Sequence, residues 1–141
     1  MSATAAPAKP RHVKPRVADQ QMLIGGRWAN SASGKMFETL DPTSGEVICR
    51  VAEGDNADID RAVKAARDAF ESGPWSRMNA SERGRLLNKL ADLIEQHADE
   101  IAALEALDNG KPLSVARAAD LRLVVQCYRY YAGWADKIQG K

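Results

Sequence analysis

Few residues of this chain could do covalent or acid–base chemistry, and they are scattered. There are two cysteines, Cys49 and Cys127, and two histidines, His12 and His97. Neither cysteine has CxxC spacing or a histidine nearby in sequence, so zinc ligation and a dithiol redox site have little support. Arg50 follows Cys49 on a predicted strand, whose alternation turns the two side chains to opposite faces, so we do not expect Arg50 to activate the thiol. We expect both cysteines to pack in the core and His97 to lie on a solvated helix face.

Asp108 is the acidic residue whose position needs an explanation. It stands at the predicted C-terminus of a long helix, where the helix dipole disfavours an anion unless a cation compensates it. Lys111 or a bound metal ion could be that cation. The other carboxylates of the helix alternate with Lys89 and Gln96, as solvated charges do, so no paired-carboxylate site is predicted.

The sequence contains no phosphate-binding motif. A dinucleotide site on a Rossmann fold shows a glycine-rich turn between a strand and a helix, but neither GxGxxG nor GxxxxGK[ST] occurs. Gly25-Gly26 is expected within a strand that no helix follows. The sequence therefore predicts no catalytic and no cofactor-binding residue in this chain.

Composition excludes several classes of partner. Lys plus Arg number 20 against 19 for Asp plus Glu, so no strong field would steer the chain to nucleic acid or to an anionic membrane. No apolar run approaches the roughly 20 residues that span a bilayer. No secretory signal is recognisable, so we expect a reducing, cytoplasmic location.

The elements that position these residues follow from local pattern. Residues 1–20 are rich in Pro, Ala and basic residues and predict a disordered tail, and residues 21–141 predict one domain. One strand is expected from Met22 through Gly25-Gly26 to Trp28, a second over 37–40, and a third over 46–52 with Val47, Cys49 and Val51 on one face. The expected class is α/β, a short β-meander or hairpin followed by three or more α-helices.

Three helices are predicted after the strands. Gly54-Asp55-Asn56 opens the first and Gly73-Pro74 ends it. The second begins near Asn79, with Ser81 as an alternative cap, and continues as one apolar stripe to Asn109-Gly110. The third runs from about Ser114, and it carries apolar residues outside its main stripe, which indicates contact on more than one side.

Four motifs follow one another along the sequence: Asp41-Pro42-Thr43-Ser44-Gly45-Glu46-Val47-Ile48, Ala62-Val63-Lys64-Ala65-Ala66, Leu107-Asp108-Asn109-Gly110-Lys111-Pro112 and Tyr130-Tyr131-Ala132-Gly133-Trp134-Ala135-Asp136. Together they resemble the N-terminal part of the aldehyde dehydrogenases, nearest the NAD-dependent group that oxidises acetaldehyde and retinal. The resemblance covers roughly residues 21–141. It implies an incomplete Rossmann-like cofactor domain, with NAD, an aldehyde substrate and a homotetramer at the level of the family.

The resemblance also implies roles for a few residues. The family's nucleophilic cysteine, its asparagine and glutamate and its NAD-binding elements would lie beyond Lys141. Backbone carbonyls of Thr39 and Leu40 and the carboxylate of Asp108 would hold Na⁺ or K⁺, although helix capping or a pair with Lys111 explains Asp108 equally well. Ala119 and Leu123 would line the substrate entrance, and simple packing explains Leu123 as well.

Two functions remain open at this point. The chain is expected to be the N-terminal piece of an aldehyde dehydrogenase, inactive by itself and with partly uncovered apolar faces. The alternative is a non-catalytic interaction module that docks onto a full-length relative.

Overall fold

The computed structural model of the chain describes residues 14–138. Most of the predicted tail, including His12, lies outside that range. Within it, Gln20 runs parallel to the fourth strand: its N–H donates to the carbonyl of Arg50 at 2.8 Å, and its carbonyl accepts from the N–H of Ala52 at 2.9 Å. Asp19 also pairs with the guanidinium of Arg50 at 2.6 Å. The segment that enters the domain is therefore held against the sheet.

The strands form two separate antiparallel hairpins. In the first, β1 (Met22–Ile24) pairs with β2 (Arg27–Ala29). Gly25 and Gly26 make the turn with φ of 58° and 76°, because a two-residue hairpin turn of this kind needs positive φ at both central positions. The prediction of one continuous strand through these glycines is therefore wrong. In the second hairpin β3 (Met36–Leu40) pairs with β4 (Val47–Ala52).

Side-chain carboxylates and amides fix where the first long helices begin. Helix α1 (Asn56–Ser72) starts at a capping box made by Asp55 and Asp58. A short helix α2 (Pro74–Arg77) follows the expected stop at Gly73. Helix α3 (Ala80–Gln96) starts at a capping box of Asn79 and Glu82, so Asn79 rather than Ser81 is the cap.

The long second helix of the prediction is two helices. α3 ends at Gln96, His97 departs from helical geometry with ψ of 15°, and α4 (Ala98–Asn109) follows. The break lets the two helices pack on different parts of the last helical region, residues 113–134. Helix α3 packs against the C-terminal part of that region and α4 against its start. Apolar periodicity continues across the break, which is why the sequence pattern did not show it.

The last helical region is also interrupted. It consists of α5 (Leu113–Val115), a π-helical turn (Ala116–Asp120) and α6 (Leu121–Trp134). The described core lies here and is built mainly from small residues. Ala98 and Ala102 of α4 are buried with Ala116 and Leu121, and Ala91 of α3 is also buried.

Many of the large apolar residues predicted to line a core are exposed instead. The stripe of α1 is uncovered, with Phe70 75% exposed, and several leucines of α3 and α4 are at least one-third exposed. Cys127 is also exposed, so its predicted place in the core is wrong, whereas Cys49 is buried as expected. Over residues 14–138, the apolar faces therefore exceed what the described helices and strands cover.

Candidate functional site

The C-terminus of α4 lies against the turn that joins β3 to β4. Gly110 caps α4 in the left-handed conformation, with φ of 77°. A Cβ at this position would stand 3.1 Å from Cγ of Pro42 and 3.4 Å from Oγ1 of Thr43. Two of the sequence motifs, one ending α4 and one forming the turn, are thus in contact.

Asp41 stabilises the turn that α4 meets. Its buried carboxylate accepts from Nζ of Lys14 at 2.5 Å, from the N–H of Thr43 at 2.8 Å and from the hydroxyl of Ser44 at 3.0 Å. The bond from Lys14 and the Thr43 N–H hold the pKa of Asp41 well below its usual range, against the effect of burial. The turn is therefore fixed by an ionised carboxylate at neutral pH.

Thr39 and Leu40 lie at an irregular point of the second hairpin. Thr39 pairs with Cys49 and Leu40 with Val47, so the register shifts between them and Ile48 is the extra residue. A bulge interrupts the ladder of hydrogen bonds locally and leaves backbone groups without their strand partners. Carbonyl oxygens at such a point are suitable ligands for a hard monovalent cation.

Asp108 is the next-to-last residue of α4, the helix whose cap Gly110 lies against Pro42 and Thr43 of the turn between β3 and β4. Burial raises the pKa of the Cys49 thiol, and the charges of Asp19 and Asp108 raise it further. A raised thiol pKa does not support an activated nucleophile at Cys49.

Lys111 does not pair with Asp108. Its ammonium contacts Oδ2 of Asp120 at 2.5 Å and Oε1 of Glu105 at 2.8 Å. Among the ion pairs formed by residues 14–138, none includes Asp108. Of the two cations considered for Asp108 from its sequence position, Lys111 is therefore engaged elsewhere.

Ala119 and Leu123, the two residues predicted to line a substrate entrance, lie in the last helical region. Ala119 is in the π turn next to Asp120, and Leu123 is in the first turn of α6; both are exposed, Leu123 by 63%. They share the side of the helical region that does not face the described core. The five predicted site residues thus lie on different elements: Thr39 and Leu40 in β3, Asp108 near the end of α4, Ala119 in the π turn and Leu123 in α6.

The N-termini of α1, α3 and α4 are poorly suited to the pyrophosphate of a dinucleotide. The N-termini of α1, α3 and α4 carry acidic residues in their first turns, and negative charge there opposes a pyrophosphate. Gly25-Gly26 turns between two strands rather than between a strand and a helix. Over residues 14–138 there is also no cluster of three or more His, Cys, Asp or Glu side chains arranged to hold a metal ion.

Sequence reasoning missed two polar networks. One joins Lys111, Glu105 and Asp120, and the other centres on the buried carboxylate of Asp58. The spacing of Asp55 and Asp58 signals a capping box, but a further donor to Asp58, the N–H of Ala32, comes from a distant loop. No local pattern could have shown that contact.

The profile of the family described as "Aldehyde dehydrogenase family" matches residues 28–141. The chain belongs to the aldehyde dehydrogenase family. It is 55% identical over 143 residues to the "Aldehyde dehydrogenase, mitochondrial" of Homo sapiens, covering 100% of this chain and 28% of the human protein. It is 54% identical over 138 residues to the "Benzaldehyde dehydrogenase, mitochondrial" of Antirrhinum majus, covering 96% of this chain and 26% of that protein.

Solved structures of aldehyde dehydrogenases share the fold. The NAD⁺ complex of the aldehyde dehydrogenase from Bacillus cereus matches with a TM-score of 0.84 and 53% identity, over 87% of this chain and 25% of that one. The hairpins and helices described above are therefore the N-terminal part of the aldehyde dehydrogenase fold. The chain spans about a quarter of the length of the curated relatives it matches.

The expected cytoplasmic location is wrong. The relatives from Homo sapiens, Equus caballus, Mesocricetus auratus and Sus scrofa, at 55–57% identity, are all named mitochondrial. The cytoplasmic prediction rested on the lack of a recognisable secretory signal, and that observation does not distinguish the cytoplasm from another reducing compartment. No helix formed by residues 14–138 is long and apolar enough to cross a bilayer.

Proposed function

We propose that this chain is the N-terminal quarter of an enzyme that oxidises aldehydes to carboxylic acids with NAD(P)⁺, and that it has no activity alone. The observation that carries the proposal is the family match over residues 28–141 together with coverage of only 28% of the human relative. By the resemblance, the nucleophilic cysteine, the oxyanion asparagine, the glutamate and the elements that bind NAD belong to the other three quarters. The names of the relatives favour a mitochondrial setting.

The residues of this chain would support that chemistry indirectly. The carbonyls of Thr39 and Leu40 at the bulge and the carboxylate of Asp108 would hold Na⁺ or K⁺, which would tie α4 to the hairpin. Ala119 and Leu123 would form one wall of the substrate entrance. The small side chain of Ala119 would leave that entrance wider than a bulky residue would.

An assay of the chain by itself and with its complement tests the proposal. The purified 141-residue chain is incubated with NAD⁺ and a short aldehyde, and reduced nicotinamide is followed by absorbance. We expect no turnover above background. A second chain spanning the remaining three quarters of a mitochondrial relative is then added, and turnover is expected only in the mixture. Turnover by the short chain alone would overturn the proposal.

The cation is tested by binding rather than by activity. We expect Na⁺ or K⁺ to raise the thermal midpoint of the chain at constant ionic strength, compared with a bulky organic cation. Asp108→Asn should abolish that difference, whereas Asp68→Asn, in the exposed part of α1, should not. An equal response of both variants would contradict a cation at Asp108.

A second function is favoured by the exposed apolar faces, namely an interaction module that docks onto a full-length relative. Trp28, Phe37 and Phe70 are each at least half exposed, and apolar surface of this extent marks interaction sites. Co-purification distinguishes the two functions. A stable complex with an intact, active relative, in which the activity of that relative changes, would support docking. Binding only to a complement that lacks this region would support the enzyme fragment.

A further inference from the structure

The π turn at Ala116–Asp120 changes which residues of the last helical region face the core. The N–H of Leu121 donates to the carbonyl of Ala116, five residues earlier. Ala116 and Leu121 are both buried against Ala98 and Ala102 of α4. In a regular α-helix, at about 100° per residue, positions five apart lie about 140° apart and could not both face α4. The π turn therefore brings Leu121 to the core and rotates the rest of α6 with it.

The same rotation moves Asp120 away from the core. In an uninterrupted α-helix the residue four positions after Ala116 would take the core face, and that residue is Asp120. A carboxylate placed there without partners would carry a large desolvation cost. In the π turn Asp120 lies at the edge of the helix, about one-third exposed, where it accepts from the ammonium of Lys111 at 2.5 Å.

Lys111 joins this carboxylate to α4. The same ammonium donates to Oε1 of Glu105, in the last turn of α4, at 2.8 Å. Asn109 supports the arrangement, because its side-chain Nδ2 donates to Glu105 and its side-chain Oδ1 accepts from the N–H of Lys111. Asp120 and Glu105 raise the pKa of Lys111, so the cation persists at neutral and mildly alkaline pH.

We infer that Lys111 is a positioning residue: by holding Asp120 beside Glu105 it keeps the π turn, and so sets the direction in which Ala119 and Leu123 face. Lys111 lies in the motif that identified the family, yet it contacts neither Asp108 nor the hairpin in the ion pairs described. Its place in the structure is at the π turn. The part of this inference that concerns the substrate entrance rests on the proposed function.

Amide hydrogen exchange of the full 141-residue chain tests the structural part. We expect Lys111→Met to speed exchange of the amides of 116–121 by about ten-fold, since local opening becomes easier without the ion pairs. The conservative Lys111→Arg should stay within about two-fold of the natural chain. Lys64→Met, which removes the exposed pair with Asp68 in α1, is the matched control and should leave these amides unchanged.

Two further variants keep the test decisive. If Lys111→Met loses protection throughout α1 and α3 as well, it has unfolded, and Asp120→Asn then replaces it with the same expectation. Deletion of Ala118 places Leu121 four residues after Ala116 and allows a regular α-helix. In that background Lys111→Met should have no further effect on 116–121. Equal exchange in the natural chain, Lys111→Met and Asp120→Asn would overturn the inference.

The functional part is measured in the reconstituted mixture described above. Lys111→Met should change the ratio of KM for a bulky aromatic aldehyde to KM for a short aldehyde by about three-fold or more, with kcat within about two-fold, because the entrance is reshaped and the chemistry is remote. Lys64→Met should leave the ratio unchanged. An unchanged ratio in Lys111→Met would contradict positioning of the entrance. If no mixture oxidises aldehyde, the proposed function fails, whereas the exchange experiment still decides the role of Lys111.

Discussion

Asp58 is a carboxylate that joins three parts of the chain. It is buried, and its oxygens accept from the N–H of Ala32 at 3.1 Å, from the N–H of Asp55 at 3.1 Å and from the guanidinium of Arg61. The loop after β2, the cap of α1 and the first turn of α1 therefore depend on one ionised group. The bond from Arg61 is the largest cause of a pKa of Asp58 below its usual value, followed by the bond from Asp55.

The lowered pKa of Asp58 predicts a pH dependence of stability. A group whose pKa is lower in the folded state stabilises the fold above its unfolded pKa of about 3.9 and loses that contribution as pH falls through the folded value. We expect Asp58→Asn to lower the urea midpoint at about pH 7, and the difference from the natural chain to shrink at about pH 3. Asp68→Asn, an exposed carboxylate of α1, should have little effect at either pH. A difference that stays constant with pH would show that the charge of Asp58 contributes nothing.

Gly110 is a position at which we expect a side chain to destabilise the fold. Its left-handed φ of 77° disfavours a side chain, and a Cβ would also meet Cγ of Pro42 at 3.1 Å. Gly26 has a similar φ of 76° but open space around it. We expect Gly26→Ala to cost about 1–2 kcal/mol of unfolding free energy and Gly110→Ala to cost more, as measured by urea unfolding. Equal costs would mean that the contact between α4 and the turn does not constrain this position.

Helix α3 packs on α6 through a glycine. A Cβ at Gly84 would lie 2.8 Å from the carbonyl oxygen of Ala132, whereas a Cβ at Gly133 would have nothing within 4 Å. Both glycines are inside helices, so the same substitution separates close packing from helix propensity. The close approach at Gly84 explains why α3 can lie so near to α6.

The paired substitutions should act in opposite directions. We expect Gly84→Ala to destabilise the chain by about 1–3 kcal/mol because the backbones must separate. Gly133→Ala should stabilise it by about 0.8–1 kcal/mol, since alanine is the better helix former. Urea unfolding monitored by helical circular dichroism measures both changes. Stabilisation by Gly84→Ala would show that α3 and α6 are not packed closely in solution.

The whole chain exposes more surface than a compact protein of its mass. Its accessible surface is 11237 Å², whereas a compact monomer of 15.4 kDa is expected to expose about 7,200 Å². The 16 residues outside the described range could account for at most about 2,400 Å² even if fully extended. A large excess therefore belongs to the hairpins and helices themselves, much of it apolar.

This excess predicts how the isolated chain behaves. We expect the 141-residue chain to bind an environment-sensitive apolar dye and to unfold over a broad temperature range. Addition of a chain spanning the remaining three quarters of a relative should suppress the dye signal, and an unrelated protein of equal concentration should not. A monomer with a sharp thermal transition and no bound dye would contradict this prediction.

The sequence by itself determined the local structure and the family. The starts of α1 and α3 were predictable because capping boxes are written within four residues, and the stops at Gly73 and Gly110 because glycine and proline act locally. The four ordered motifs identified the aldehyde dehydrogenases, and the family match confirms them. Thr39, Leu40, Asp108, Ala119 and Leu123 remain predicted site residues on the strength of that resemblance.

Only the tertiary structure decided how the chain is divided and which faces are covered. The break at His97 lets α3 pack on α6 and α4 pack on the π turn, and the π turn lets Ala116 and Leu121 both face α4. Apolar periodicity along the chain does not encode either arrangement. The same limit applies to Cys127, whose apolar neighbours in sequence predicted burial although nothing in the described chain covers it. Lys111 is the clearest case, because its partners Glu105 and Asp120 become neighbours only when α4 and the π turn pack together.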